Sequence, residues 1–372
     1  MASSAAARTD RSPAIARLCL DTPALLVDLD VMEANIATIA AVCRAHGVKW
    51  RPHVKGQKTV EIVRKELAAG AVGITCAKLG EAEVFAAAGI RDILIANQIV
   101  GTEKLRRLLA LAGLAEPIVA IDDPAHVQAL ASTFAGSGRR IHVVVEVDIG
   151  MGRAGVPPGA PVLALARLAA CQEGLVFRGV MGWESHAVTI ASHAEKARTV
   201  AAAVGQLTAS AELCRRAGLA IDIVSCGGTG TFPYCAAQPG VTEVQIGGGI
   251  FSDHHYRDHY HIDLPCALTV LATVISRPTP TRIVLDAGKK VMSGDAAMPT
   301  VAGLAYVRQI RLSAEHATIE LERASELPRI GDRLELVVGY SDTTVHLHDE
   351  IVGVRAGAVE AVWRIAARGC SR

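Results

Sequence analysis

Aromatic residues are scarce in this chain: three Trp, five Tyr and five Phe, 3% of 372 positions. A core without large rings must be filled by small and branched side chains. Ala, Val, Ile, Leu and Gly dominate here, and hydrophobic residues reach 51%. Such filling suits buried parallel strands flanked by helices. An excess of charge is lacking too. The formal net charge is +1, which gives no reason to expect nucleic acid or an anionic membrane as partner. No apolar run reaches the length of a membrane span. Residues 1–23 read as a tail, and Met1 to Pro13 lack the apolar stretch of a signal peptide. No Cys-x-x-Cys pair occurs among the nine cysteines, which are odd in number and widely spaced. Reduced thiols in a cytoplasmic enzyme are the simplest reading.

What is present is a rhythm. From residue 49, short apolar runs recur, each followed by an Ala- and Leu-rich helical stretch. The runs are 49–55, 73–78, 92–97, 117–122, 141–148, 177–184, 222–228 and 242–249. Helices are expected at 59–69, 80–88, 160–171 and 194–217, among others. Alternating strand and helix implies a parallel sheet, and eight repeats imply closure into a (β/α)8 barrel. An open, doubly wound sheet is the alternative. After Pro265 the character changes to short alternating runs at 267–275, 282–286, 316–321, 333–338 and 351–354. The fold expected is α/β: a barrel over 24–265 followed by a smaller all-β domain over 266–372. One earlier strand, 24–30, is expected near the junction of the two.

In such barrels chemistry sits at the C-terminal ends of the strands. Polar residues gather there: His53 and Lys55 after strand one, Asn97 and Gln98 after three, Glu146, Asp148 and Arg153 after five, Trp183, Glu184 and His186 after six. Strands seven and eight end in glycine-rich turns, Cys226–Thr231 and Gly247–Gly249. Barrel enzymes often bind phosphate with these two loops, where glycines let backbone N–H groups approach the oxygens. A strand-end lysine is by itself more often paired or snorkelled than reactive. Lys55 shares its barrel mouth with the two turns, and alternation puts Arg51, His53 and Lys55 on one face. A lysine desolvated among other cations gives up its proton more easily, and imine formation requires the free amine. Lysine plus a phosphate cradle points to pyridoxal phosphate or to a Schiff-base aldolase of sugar phosphates.

The segment Arg51–Lys58, RPHVKGQK, resembles the RPHxK[TS]HK motif of the D-threonine aldolase and D-serine dehydratase family, fold-type III pyridoxal enzymes related to alanine racemase. TPALLVDLD, GITCAKLGEAEV, DILIANQIVG, VEVDIGMGRAGV, GGTGT, LDAGKK and DTTVHLHDE extend the similarity over most of the chain. The resemblance implies pyridoxal 5'-phosphate held as a Schiff base on Lys55, with Arg153 at its ring. The turns at Gly228, Thr229, Gly248 and Gly249 would hold its phosphate, with Tyr256 assisting. It implies a homodimer acting on a small amino acid. Lys55, His53 and His186 are the candidate catalytic residues. The activity expected is retro-aldol cleavage of a D-3-hydroxy amino acid to glycine and an aldehyde. Dehydration to a 2-oxo acid and ammonia, or racemisation, are the alternatives. A non-enzymatic pyridoxal-phosphate carrier is disfavoured by the large second domain.

Three positions depart from the family pattern. Gln57 stands for a His, Trp183 for a Tyr, and Tyr340 for the His of a His-x-Asp pair that binds a divalent metal. Asp342 is the remaining expected metal ligand, and one carboxylate holds a borderline metal weakly. The substrate hydroxyl then falls to Asp342, His186, Tyr340 or a histidine of the 254–261 segment. That segment reads as a solvated loop at the barrel rim or as a metal or substrate contact.

Overall fold

The computed structural model describes residues 16–372. The expected tail, residues 1–23, lies mostly outside them; its last residues, from Ala16, rest on the second domain. There Arg17 N–H donates to Gly357 C=O at 3.0 Å and Thr22 donates to Asp286 at 2.7 Å. Among the described residues no helix is long and apolar enough to cross a membrane.

Strand β1 (Ala24–Asp28) opens the chain. Eight parallel strands then alternate with helices: β2 (Lys49–Trp50), β3 (Ile74–Cys76), β4 (Asp92–Gln98), β5 (Glu116–Ile121), β6 (Ile141–Glu146), β7 (Leu175–Met181), β8 (Ile223–Cys226) and β9 (Glu243–Val244). The sheet order runs β2-β9-β8-β7-β6-β5-β4-β3. A bridge between His53 and Thr75 returns β3 to the chain beyond β2. Val54 N–H donates to Thr75 C=O and Thr75 N–H to Pro52 C=O, both at 2.8 Å. The strands thus form a closed (β/α)8 barrel, as the eight repeats predict. The runs Ile93–Ile95, Ile118–Ile121 and Val143–Val145 are buried on both faces, which is why they read as continuous rather than alternating.

Inside, the barrel is layered. At the N-terminal end Arg51 is buried and its Nε donates to Glu243 at 3.0 and 3.1 Å, while its other nitrogens meet Asp92. Above this lies an apolar layer of Leu94, Ile118, Ala120, Val144, Met181 and Ile223. The third layer is the polar mouth. Arg51 does face the interior with His53 and Lys55, but at the opposite end, so it takes no part in the mouth.

The second domain is mainly antiparallel. Its sheet runs β13-β14-β11-β10-β1-β16-β17, with β15 pairing β10 and β12. The ranges are β10 (Leu268–Thr279), β11 (Arg282–Leu285), β12 (Thr300–Val301), β13 (Val307–Leu312), β14 (Ala317–Leu321), β15 (Arg333–Val337), β16 (Glu350–Arg355) and β17 (Ala358–Arg364). Strand β1 belongs here: it pairs antiparallel with β10 and parallel with β16. Its sequence position inside the 24–265 span is therefore not its place in the fold. Strands β12, β13 and β17 were not expected; β13 and β17 carry largely half-exposed side chains that leave a weak pattern.

One carboxylate ties the two domains together. Asp253, fully buried after β9, accepts from Tyr256 N–H at 2.8 Å and from Ser341 N–H at 2.7 Å. His255 N–H donates to Gly339 C=O beside it at 2.9 Å. Burial pushes the Asp253 carboxyl up from 3.8 to about 7, against the pull of these two N–H donors.

Two outcomes follow for stability. Arg51→Ala strands the Glu243 charge and should cost about 3–5 kcal/mol in denaturant unfolding; a loss under about 1 kcal/mol would refute the buried pair as described. Asp253→Asn turns one acceptor into a donor facing an N–H and should cost about 1–3 kcal/mol. The folded pKa of Asp253 exceeds its unfolded one, so the stability tied to its proton is full below pH 3.8 and is lost as pH rises through about 7. The Asn variant should lack that slope; an unchanged pH profile of the unfolding midpoint would count against it.

Candidate active site

The mouth encloses a cavity of about 380 Å³. Its floor and walls come from the strand ends: His53 and Lys55 after β2, Asn97 and Gln98 on β4, Glu146 on β6, Trp183 after β7, and the turns after β8 and β9. The remaining wall is Tyr256, Tyr260 and, from the second domain, Tyr340.

Lys55 reaches into this space. Its Nζ lies 3.4 Å from Asp342 Oδ2 and 5.8 Å from the centre of the Trp183 ring. The side chain is 41% exposed and paired, so it differs from the desolvated lysine among cations that alternation suggested. Arg153 lies against the same indole, its Cζ 5.6 Å from the ring centre. The Trp183 indole is thus within cation–π reach of both cations. Arg153 is carried by a loop that Asp148 shapes, accepting from Gly150 and Gly152 N–H, both at 3.0 Å. These N–H bonds hold the Asp148 carboxyl below its ordinary range. Arg153 also lies 3.7 Å from Glu146, whose other oxygen accepts from Gln98 Nε2 at 2.6 Å. Burial raises the Glu146 carboxyl. His53 is driven well below its usual pKa by burial first and then by Lys55 and Lys58. Its Nδ1 lies 3.5 Å from the Lys55 N–H.

The turn after β8 is held from behind. Glu184, fully buried, accepts from Gly227 N–H at 3.3 Å and from the Thr231 hydroxyl. Gly228, Thr229 and Gly230 are left facing the cavity. After β9 the cavity is lined by Gly247 and Gly248. The expected Gly249 instead packs into the core against Ile246 and Leu264. A Cβ on Gly248 would stand 2.3 Å from the Tyr256 phenol oxygen, so only glycine leaves that turn open. Two open glycine turns, a lysine and an arginine around one cavity fit pyridoxal phosphate. Gly228, Thr229, Gly247 and Gly248 would meet its phosphate and Lys55 its aldehyde carbon.

The structure does not bring every expected residue here. His186 is exposed and its ring lies against Gly150, outside the cavity lining. His348, six residues after Asp342 in the sequence, donates to Val291 C=O at 2.6 Å and does not line the cavity. Sequence reasoning missed Gln245, anchored to Ser225 at 2.9 Å, and Tyr260. Gln245 was legible as an alternate position on its strand. Tyr260 was passed over because the histidines around it drew attention to imidazole rather than phenol.

Asp342 sits behind the cavity wall, its Oδ1 accepting from Tyr256 Oη and its Oδ2 from Tyr340 Oη, each at 3.1 Å. Burial, and then the Asp342 charge, raise both phenols above their ordinary pKa, so both stay protonated and donate. Burial also raises Tyr260 and lowers His255.

The two domains have counterparts among known proteins. Residues 27–255 match the alanine racemase N-terminal domain and residues 267–354 a putative serine dehydratase domain. A D-threonine aldolase of Arthrobacter sp. is 39% identical over 357 residues, 95% of this chain and 94% of that protein. A 3-hydroxy-D-aspartate aldolase of Paracoccus denitrificans is 35% identical over 361 residues, covering 94% and 92%. The crystal structure of D-threonine aldolase from Filomicrobium marinum superposes with a TM-score of 0.92 at 35% identity, over 96% of this chain and 99% of that one. With both domains matched in order, the chain belongs to the D-threonine aldolase and D-serine dehydratase family of fold-type III pyridoxal-phosphate enzymes.

Proposed function

We propose that this protein is a pyridoxal-phosphate-dependent lyase that cleaves D-3-hydroxy amino acids to glycine and an aldehyde. The observation that carries the reading is the meeting of Lys55, two glycine turns and a hydrogen-bonding Tyr/Asp wall around a single cavity. The similarity to two aldolases over nine-tenths of the chain supports it.

Pyridoxal phosphate bound there supplies an electron sink at the substrate's Cα. Lys55 would hold it, and its Nζ, 3.4 Å from Asp342 Oδ2, is placed to give or take a proton at the substrate. The Gly228–Thr229 and Gly247–Gly248 turns fix one end by backbone N–H donation. Arg153, held against Trp183 and near Glu146, orients the ring. His53, whose protonation burial disfavours, lines the same wall beside Lys55. Tyr256, Tyr260 and Tyr340 close the side where the hydroxyl and side chain would lie. The volume suits a cofactor with a small amino acid. The reading extends to a homodimer in the cytoplasm; nine unpaired cysteines, five of them buried, support the reducing compartment.

Purified protein given pyridoxal phosphate should absorb near about 420 nm, and Lys55→Ala should lose that band together with activity. A panel of D- and L-3-hydroxy amino acids, scored separately for aldehyde and for 2-oxo acid, should give aldehyde and glycine from the D-isomers. Release of 2-oxo acid and ammonia would replace cleavage by dehydration. Protein that stays colourless with added cofactor would remove the cofactor from the reading.

A further inference from the structure

The resemblance implies a divalent metal that receives the substrate hydroxyl, and the residues present do not fit one. Where the pair would begin with an imidazole, Tyr340 presents a phenol, and its hydrogen is given to Asp342. Both oxygens of Asp342 are engaged, by Tyr256 and Tyr340, and Lys55 Nζ stands 3.4 Å from the second. The neighbouring imidazoles are committed elsewhere. His254 meets Thr300 at 2.7 Å and Asp258 at 3.2 Å, and His255 meets His259 at 3.2 Å. Among the described residues no three metal-ligating side chains converge on Asp342; the one such group, Glu184, Cys226 and Cys235, is buried behind the phosphate turn. Position 56 is part of the same arrangement. A Cβ on Gly56 would stand 2.4 Å from Asp342 Oδ1, so the carboxylate occupies its place beside Lys55 only because residue 56 is glycine.

We propose that the Tyr340–Asp342 pair receives the substrate's 3-hydroxyl and that cleavage by this chain requires no divalent metal. This rests on the retro-aldol reading above. Tyr340 Oη lies on the cavity wall with Asp342 behind it, which makes a two-step proton path from cavity to carboxylate. The hydroxyl proton passes to Tyr340 Oη as the phenol's own proton passes to Asp342 Oδ2. The electron pair of the broken O–H bond becomes the second bond of the departing aldehyde's C=O. The Cα–Cβ bond breaks and its electron pair stays on Cα. Lys55 Nζ, within reach of the same Asp342 oxygen, carries the proton to Cα, which completes glycine and restores the pair. The proton that leaves the hydroxyl is the one that arrives at Cα, so the step neither gains nor loses an atom or an electron.

The test has two arms, both on full-length protein loaded with pyridoxal phosphate. In calorimetric titration with Mn²⁺ and with Zn²⁺, the native chain should show no saturable site up to millimolar metal, and Tyr340→His should gain one. This arm needs no turnover. In the second arm, aldehyde release should be unchanged by a chelator. Tyr340→Phe and Asp342→Asn should lower kcat by about 10²-fold or more while keeping the visible band. Micromolar metal binding by the native chain, or chelator-sensitive cleavage restored by Mn²⁺, overturns the inference and leaves the proposed function standing. A Tyr340→Phe variant as fast as the native enzyme overturns the role of the phenol. Absence of cleavage both with and without metal overturns the proposed function itself, and the role of Tyr340 with it.

Discussion

A barrel mouth is open by construction, and here Asp253 decides how it is walled. Its carboxylate joins the backbone of the segment after β9 to the backbone that begins the Tyr340–Asp342 segment. Both phenols that grip Asp342 are positioned by that single group, Tyr256 through its own N–H and Tyr340 through the N–H of the next residue. Backbone donors are less adjustable than side chains, so the spacing between the two phenols follows from the geometry of one acceptor. The price is a buried carboxyl displaced to about 7, which two hydrogen bonds only partly offset. A polar joint of this kind specifies one docking of the domains where a purely apolar contact would allow sliding.

The barrel interior obeys a complementary rule. Charges are confined to its two ends, and an apolar layer separates them. At the base Arg51, Glu243 and Asp92 satisfy one another, since a buried charge without a partner would destabilise the fold strongly. At the mouth the cations are left less satisfied. Lys55 has one carboxylate at 3.4 Å, and Arg153 has one at 3.7 Å with 54% of its side chain exposed. That contrast separates a structural network from a site prepared for a ligand that brings its own negative charge.

How much of this was legible follows from how far each signal travels along the chain. The eight barrel strands were readable because burial on both faces leaves continuous apolar runs, as at Ile93–Ile95. Strand β1 was readable as a strand but not as a member of the second sheet, because its partner β10 lies more than 240 residues away. Alternation correctly turned Arg51, His53 and Lys55 inward, yet it carries no information about height along the barrel axis, and Arg51 lies at the far end. Several residues past the ends of β7 and β9 alternation lapses. His186 consequently points away from the mouth, and the glycine pair facing the cavity is 247–248 rather than 248–249. Asp253 was illegible because its partners are backbone N–H groups, one of them 88 residues away, and neither leaves a mark in the side-chain pattern.

Residues far apart in the sequence meet at one carboxylate in the structure. Gly56 follows Lys55, while Tyr340 and Asp342 lie nearly three hundred residues later, yet all three define the position of that carboxylate. A side chain at 56 would push Asp342 away from Lys55, and an imidazole at 340 would lack the hydroxyl that now caps it. A carboxylate that already accepts two phenols and an ammonium neighbour has little left to offer a cation. Glycine at 56 and tyrosine at 340 therefore act together: both are needed to hold the Asp342 carboxylate where it stands beside Lys55.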